Sequence, residues 1–233
     1  MTSDDRNPEG VVRVRAENPS PLTLDGTNTY VVNGWVVDPG PADASHLERI
    51  RTAVGGRVEG VVLTHGHPDH ADGADMLGAS VLRPGDGERA GPFDVIGTPG
   101  HSPDSVCLLR GGTCFTGDTV LGEGSVFIAP GEGSLADYLD SLRRLADLEL
   151  EVLCPGHGPY VWEPRAKLEE YIEHRLDRER ALLQALESGL WTHEELLDAA
   201  WSDVPEELRP AAELTLQAHL DKLAEEGRLP PDV

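Results

Sequence analysis

The stretch that decides the fold is Thr64-His65-Gly66-His67-Pro68-Asp69-His70. It follows the apolar run Val61-Val62-Leu63, so the histidines are predicted to lie at the end of a strand and on the turn that leaves it. Three histidines and one aspartate in so short a span offer imidazole and carboxylate ligands from a single loop, which suits Zn²⁺ or Fe²⁺. The motif therefore predicts a metal site.

Three later segments repeat this arrangement, with a glycine beside a potential ligand where an apolar run ends. They are Thr98-Pro99-Gly100-His101, Phe115-Thr116-Gly117-Asp118 and Cys154-Pro155-Gly156-His157. Strand ends are where sheet proteins collect site residues, and glycine lets the backbone approach closely or take a positive φ. Because all three segments share one pattern, His101, Asp118 and His157 are predicted to join the same site.

The regions around these motifs indicate a layered domain followed by a smaller helical one. Short β-branched runs bounded by glycine or proline occur between residues 11 and 154, with amphipathic helices predicted at 46–53 and 134–148, capped by Ser45 and Ser134. After Pro164 the apolar residues follow a helical period, and two more helices are predicted near residues 192–200 and 209–226. The sequence thus predicts an α+β domain at 1–163 and a winged-helix-like helical domain at 164–233.

Composition excludes several classes of protein. The chain has 233 residues with a net charge of −23, and its apolar and glycine content is ordinary for a globular protein. So acidic a surface repels phosphate at long range and argues against DNA as a partner. No apolar run is long enough to cross a membrane, and the N-terminus lacks an apolar signal segment. Three cysteines without CxxC spacing indicate a reduced environment, so we expect a cytoplasmic protein.

The HxHxDH motif, followed in order by Gly-His, Gly-Asp and a second Gly-His, resembles the metallo-β-lactamase superfamily. The resemblance implies an αββα sandwich with a two-metal site. One metal would be held by His65, His67 and His101 and the other by Asp69, His70 and His157, with Asp118 as the bridge. Residues 26–32, 115–122 and 171–175, together with the helical tail, are similar to the lactamase-β-like protein 2 group, whose members carry a C-terminal winged-helix module.

The expected chemistry is metal-dependent hydrolysis. Two metals about 3.5–4 Å apart lower the pKa of a shared water towards about 7, so we expect a metal-bound hydroxide to attack an ester or thioester carbonyl. Asp69 would orient this nucleophile and take up its proton as the catalytic carboxylate. A ligand set without thiolate favours zinc, with Fe²⁺ and Mn²⁺ as alternatives. A small-molecule acyl substrate is the expected partner.

Two other functions stay open. The subgroup resemblance also allows a single-stranded RNA endoribonuclease at the same site, although residues 166–233 carry 7 basic and 17 acidic side chains and the chain is poor in aromatics. A non-enzymatic, metal-stabilised interaction protein would fit a chain that had lost ligands, but none is lost here.

Residues on the first C-terminal helix are candidates for contact with the substrate. His174 is either a substrate-side donor or a half-exposed helix residue. Arg175 is either a phosphate clamp or one half of a salt bridge with Asp177 or Glu179. The apolar face of the C-terminal helices also leaves a homodimer open.

Overall fold

The computed structural model describes residues 6–229, in which two five-stranded sheets form the larger part of the molecule. The first sheet contains, in spatial order, β1 (Val11–Arg15), β2 (Asn28–Val32), β3 (Trp35–Val37), β4 (Gly60–Val62) and β5 (Val81–Leu82). The second contains β10 (Val152–Pro155), β9 (Thr113–Gly117), β8 (Val106–Arg110), β7 (Phe93–Gly97) and β6 (Arg89–Ala90). Neighbouring strands are antiparallel except for β3–β4, β4–β5 and β9–β10.

The alternation of side chains along each strand creates the layers. In β2, Tyr30 and Val32 point into the core between the sheets, while Val31 points out to the helical layer. Aromatic rings fill the centre, where Tyr30 and Phe93 pack edge-on against Phe115 with ring centroids 5.3 and 5.4 Å away. Helices cover both outer faces, which confirms the αββα sandwich that the resemblance implied.

The outer helices begin at short polar caps. α1 (Ala44–Val54) covers the first sheet, and its N-cap is Asp43, whose carboxylate accepts a hydrogen bond from the His46 amide at 2.7 Å. The prediction that Ser45 caps this helix was wrong because the helix begins one residue before that serine. α3 (Leu135–Ala146) covers the second sheet and begins, as predicted, after Ser134, which accepts from the Asp137 amide at 3.2 Å.

Three helices form the C-terminal module: α4 (Pro164–Glu187), α5 (His193–Ala200) and α6 (Arg209–Glu225). The first half of α4 packs Leu168 and Tyr171 into the apolar layer beside α3. Its second half packs Leu182 and Leu186 into a separate core with α5 and α6. One helix therefore belongs to two cores, and it connects the module to the sandwich. None of the helices within residues 6–229 has both the length and the apolar character needed to cross a membrane.

Candidate metal centre

The first group of ligand atoms consists of three histidines from both sheets. His65 and His67 lie on the turn after β4, and His101 lies on the loop after β7. The Nε2 atoms of His65 and His101 lie 3.1 and 3.0 Å from Nδ1 of His67. Ligands about 2.1 Å from a tetrahedral metal lie about 3.4 Å from one another, so the three nitrogens are close to the spacing that one ion requires.

The second group adds carboxylate oxygen to two imidazoles. Asp69 and His70 lie on the single-turn helix α2 (Pro68–Ala71), and His157 follows β10. Nε2 of His157 lies 3.2 Å from Nε2 of His70 and 3.2 Å from Oδ2 of Asp69. These atoms also converge on one point, and Asp69 is the member that is most exposed to solvent.

Asp118 follows β9 and lies between the two groups. Its Oδ1 is 3.3 Å from Nε2 of His70, and its Oδ2 is 3.4 Å from Nε2 of His157 and 3.8 Å from Nε2 of His101. Oδ1 is buried and has no hydrogen-bond partner among the described residues, as expected for an atom that faces the position of a metal ion. The structure thus brings all seven predicted ligands to one edge of the sandwich.

Glycines beside the ligands permit this convergence. A Cβ atom on Gly156 would lie 2.5 Å from Oδ1 of Asp118 and 2.6 Å from Cε1 of His70, so any side chain there would fill the space between two ligands. Gly100 has a φ of +138°, which other residues rarely adopt, and the turn it makes directs His101 inward. As predicted from the sequence, glycine allows a close approach at residue 156 and a positive φ at residue 100.

Four of the five histidines are oriented by the ring nitrogen that faces away from the ligand groups. Nδ1 of His65 is 3.0 Å from the Thr64 hydroxyl, and Nδ1 of His157 is 3.4 Å from the Gly26 carbonyl. Nδ1 of His101 lies 3.2 Å from the carbonyl of Phe127. When one ring nitrogen donates a hydrogen bond in this way, the lone pair of the other ring nitrogen is free to bind a metal ion.

Asp38 is the orienting residue that the sequence analysis missed. It is 1% exposed, and its Oδ2 accepts from the Thr64 hydroxyl at 2.6 Å and lies 3.0 Å from Nδ1 of His70, while Oδ1 accepts from the Thr64 amide at 2.8 Å. Both oxygens are thus engaged on the far side of His70, which makes Asp38 an outer partner of the site. The available signal was a carboxylate ending the buried run Val36-Val37 immediately before Pro39-Gly40.

Asp38→Asn is expected to lower the affinity of the ligand group that contains His70 for Zn²⁺ by about 10- to 100-fold, because it removes the charged partner that orients His70. The affinity is measured by titrating the metal-free protein in competition with a chromogenic chelator. Asp43→Asn is the control, since asparagine also caps helices and Asp43 lies at the start of α1, outside the ligand groups. A change of less than about twofold in Asp38→Asn would contradict the assigned role.

The two groups of ligands differ in charge. Burial and the neighbouring His70 hold the pKa of His65 well below its usual range, and burial lowers the pKa of His101. Burial also opposes the charged form of His157, but the carboxylates of Asp118 and Asp69 outweigh it and raise its pKa to about 9. Metal binding at His157 therefore displaces a proton, whereas His65 and His101 of the first group are neutral imidazoles.

The donor set fits divalent transition metals. Five imidazoles and two carboxylates suit Zn²⁺, Fe²⁺ and Mn²⁺, and the three cysteines are buried in the apolar layers. The outer ring nitrogens of His65, His70, His101 and His157 already have partners. The residues present therefore fit a metal centre.

A cavity of about 760 Å³ opens onto these ligands. Its walls come from residues 20–24, from the loop at residues 121–133 and from the C-terminal module, including His174 and Arg175. His174 is half-buried, and burial together with the nearby guanidiniums lowers its pKa to about 4, so it is neutral. Arg175 is 2% exposed and donates to the Val126 carbonyl. Neither interpretation offered for Arg175 predicted this bond, and Glu179 pairs instead with Lys222 and Arg228.

Two family descriptions match the chain. The metallo-beta-lactamase superfamily matches residues 22–79 and 84–157, and the beta-lactamase associated winged helix domain matches residues 192–229. The sandwich, the cluster of histidines and aspartates and these matches define a metal-binding hydrolase. The chain belongs to the metallo-β-lactamase superfamily and carries the winged helix domain associated with it.

Similar proteins extend over most of the chain. The Beta-lactamase-like protein 2 homolog of Drosophila melanogaster is 30% identical and covers 94% of this chain and 89% of its own. The Atrochrysone carboxyl ACP thioesterase of Aspergillus fumigatus is 31% identical over 84% of this chain and 74% of its own. Among solved structures, the metallo-beta-lactamase family protein TTHA1429 from Thermus thermophilus has a TM-score of 0.77 at 25% identity, covering 94% of both chains. TTHA1623, solved in a di-iron-bound form, has a TM-score of 0.54 at 25% identity, covering 70% of this chain and 97% of its own.

Proposed function

We propose that this hydrolase uses two divalent metal ions, zinc in the first instance, to cleave an acyl thioester or ester. The observation that carries the proposal is the cavity, whose lining includes apolar side chains such as Leu121, Val126 and Trp201 beside the ligands. A wall of this kind suits an acyl group. The similarity to a thioesterase from Aspergillus fumigatus supports the same substrate class.

When bound, the metal ions supply Lewis acidity and make a water acidic enough to act as a nucleophile near neutral pH. His65, His67 and His101 would hold one ion, and Asp69, His70 and His157 the other. Asp118 would be shared between them, because its carboxylate lies within 3.4 Å of His70 and His157 of the second group and 3.8 Å from His101 of the first. The carboxylate of Asp118 also offsets the positive charge of the histidines. Burial disfavours the negative charge of Asp118, but the contacts with His70 and His157 outweigh burial and hold the pKa of Asp118 well below its usual range.

Asp69 is placed to accept the proton that the attacking water loses. It lies in the cavity wall, and although burial opposes its charge, its contacts with His157 and His70 lower its pKa to about 2. It is therefore a carboxylate at neutral pH. It can accept a hydrogen bond from the water that attacks the acyl carbon and take up the proton that this water loses.

The test is thiol release from a panel of acyl-coenzyme A and acyl-N-acetylcysteamine thioesters by the Zn²⁺- or Mn²⁺-loaded protein. A fluorescent single-stranded RNA is assayed in parallel. We expect thioester cleavage by the wild type and its loss in His67→Ala, which excludes a contaminant. The proposal would be overturned if the protein cleaved the RNA but none of the thioesters. It would also be overturned if protein with two metals bound cleaved no thioester at all.

RNA is the weaker candidate because of the charges that face the cavity. Arg178, its second arginine, already forms a two-pronged ion pair with Asp203 at 2.6 and 2.8 Å. Six carboxylates lie in its walls, those of Asp69, Asp118, Glu123, Glu132, Glu170 and Asp203. A surface that binds single strands combines basic residues with stacking aromatics, and the acyl substrate makes no such demand.

A further inference from the structure

The loop of residues 121–133 separates the metal ligands from the C-terminal module. It runs from the end of the β9 turn to the start of α3 and forms one wall of the cavity. Three of its residues, Leu121, Val126 and Ile128, are buried, so their backbone amides and carbonyls need partners within the protein. Several of those partners come from the C-terminal module.

Three side chains of the module bind backbone atoms of this loop. The Leu121 amide donates to the Tyr171 hydroxyl at 3.2 Å, and Arg175 donates through Nη2 to the Val126 carbonyl. The Ile128 amide donates to the Thr215 hydroxyl at 3.5 Å, and this hydroxyl in turn donates to the Ala211 carbonyl at 3.1 Å. Helices α4 and α6 thus hold the loop on both sides of Phe127.

Phe127 provides the link to the metal ligands. Its carbonyl lies 3.2 Å from Nδ1 of His101, and Nε2 of the same ring lies 3.0 Å from Nδ1 of His67. The carbonyl that orients His101 is therefore flanked by the two residues, Val126 and Ile128, that the C-terminal module binds. A shift of this short segment would rotate the imidazole and displace its donor atom.

Arg175 has an unusual environment for a cation. Its side chain is buried, its Nε has no hydrogen-bond partner in the part of the chain that the structure describes, and its guanidinium lies over the Tyr138 ring at 5.5 Å. No carboxylate oxygen of residues 6–229 is found within 4.0 Å of it. Burying an arginine without a counter-charge is unfavourable for stability, so its bond to the Val126 carbonyl is expected to have a role outside stability.

We infer that Arg175 and Thr215 are positioning residues for the metal ligand His101. They fix the backbone around Phe127, so its carbonyl holds the imidazole with Nε2 toward the other two histidines. The C-terminal module thereby completes the three-histidine group without contributing a ligand. The inference rests on the metal-binding part of the proposed function and is independent of the substrate class.

The test is Zn²⁺ titration of the metal-free, full-length chain, with His101→Ala identifying the affinity that belongs to the three-histidine group. Arg175→Met is expected to weaken that affinity by about 10- to 100-fold, as removal of an outer partner does, and to alter the absorption bands of the Co²⁺-loaded protein. Thr215→Val should act in the same direction with a smaller effect. In the His101→Ala background, Arg175→Met should have no further effect on metal affinity.

Lys222→Met is the matched control. It also removes a buried cation of the module, one whose ammonium binds Glu179 at 2.6 Å and Glu226 at 2.8 Å, both within the module. It should lower the denaturant midpoint while leaving both Zn²⁺ affinities and the Co²⁺ bands unchanged.

Several outcomes would overturn the inference. Unchanged Zn²⁺ affinities in Arg175→Met with a raised KM for acyl substrate would make Arg175 a substrate-binding residue instead. If Arg175→Met does not fold, the folded Thr215→Val variant provides the test. Faster hydrogen exchange of the Ile128 amide would show that its bond to residue 215 is lost, and an unchanged Zn²⁺ affinity would then contradict the inference. Equal loss in Lys222→Met would reduce the effect to general destabilisation. Failure of the wild type to bind Zn²⁺ would instead remove the proposed function.

Discussion

Asp118→Asn is expected to reduce hydrolysis by at least about 10³-fold. The substitution keeps the shape of the side chain but removes the charge that faces His70, His157 and His101 from 3.3 to 3.8 Å. In the proposed two-metal centre Asp118 is a shared ionic ligand, whose loss would cost about 4 kcal/mol or more, and each 1.4 kcal/mol is about a factor of ten in rate. The amide also presents hydrogens toward imidazole nitrogens that would otherwise bind metal.

The measurement pairs initial rates on the best thioester with metal content per chain after dialysis. Asp72→Asn is the matched control, because Asp72 is an exposed carboxylate directly after the same short helix that carries Asp69. We expect the control to keep wild-type rates and metal content. Asp118→Asn protein with two metals and a rate within tenfold of the wild type would contradict the bridging position.

Phe115→Ala is expected to lower the free energy of unfolding by about 3–5 kcal/mol. Phe115 is fully buried on β9 at the centre of the core between the sheets, and its ring contacts Tyr30 and Phe93. Residues on both sheets pack against it, so the cavity left by truncation cannot close by moving one side chain. The loss is a large fraction of the total stability of a typical domain, which is about 5–15 kcal/mol.

Urea denaturation of the metal-free protein, followed by tryptophan fluorescence and circular dichroism, measures the change. Val12→Ala on β1 is the control, because this valine is 43% exposed and should change the stability by less than about 0.5 kcal/mol. A loss below about 1 kcal/mol in Phe115→Ala would mean that Phe115 is not central to the core.

Much of the fold and the candidate site could be predicted because short-range patterns encode them. Ligands such as His101 and His157 follow apolar runs that become strands, and each strand ends at the same edge of the sandwich. Ser134 caps α3 as predicted, because capping depends on neighbouring amides only. The αββα arrangement was expected from the resemblance of the ligand motifs and not from the periodicity of the strands.

The positions that escaped prediction depend on distant partners. Asp38 contacts His70 across 32 residues, and Arg175 contacts Val126 across 49, so no local spacing indicates either bond. The segment Glu169–Arg180 is rich in charged residues, a pattern typical of a solvated helix face. Arg175 and Glu179 are buried in it, because α6 and the 121–133 loop cover that side of the helix.

The shared helix α4 has a consequence for how the cavity opens. A flexible linker between two domains would allow them to swing apart and admit a large substrate. Here a continuous helix of 24 residues is embedded in one core at its start and in another at its end, so it has no hinge. We therefore expect the depth of the cavity to be set by the rigid helix, and entry of the proposed acyl substrate to depend on the loops at the mouth of the cavity.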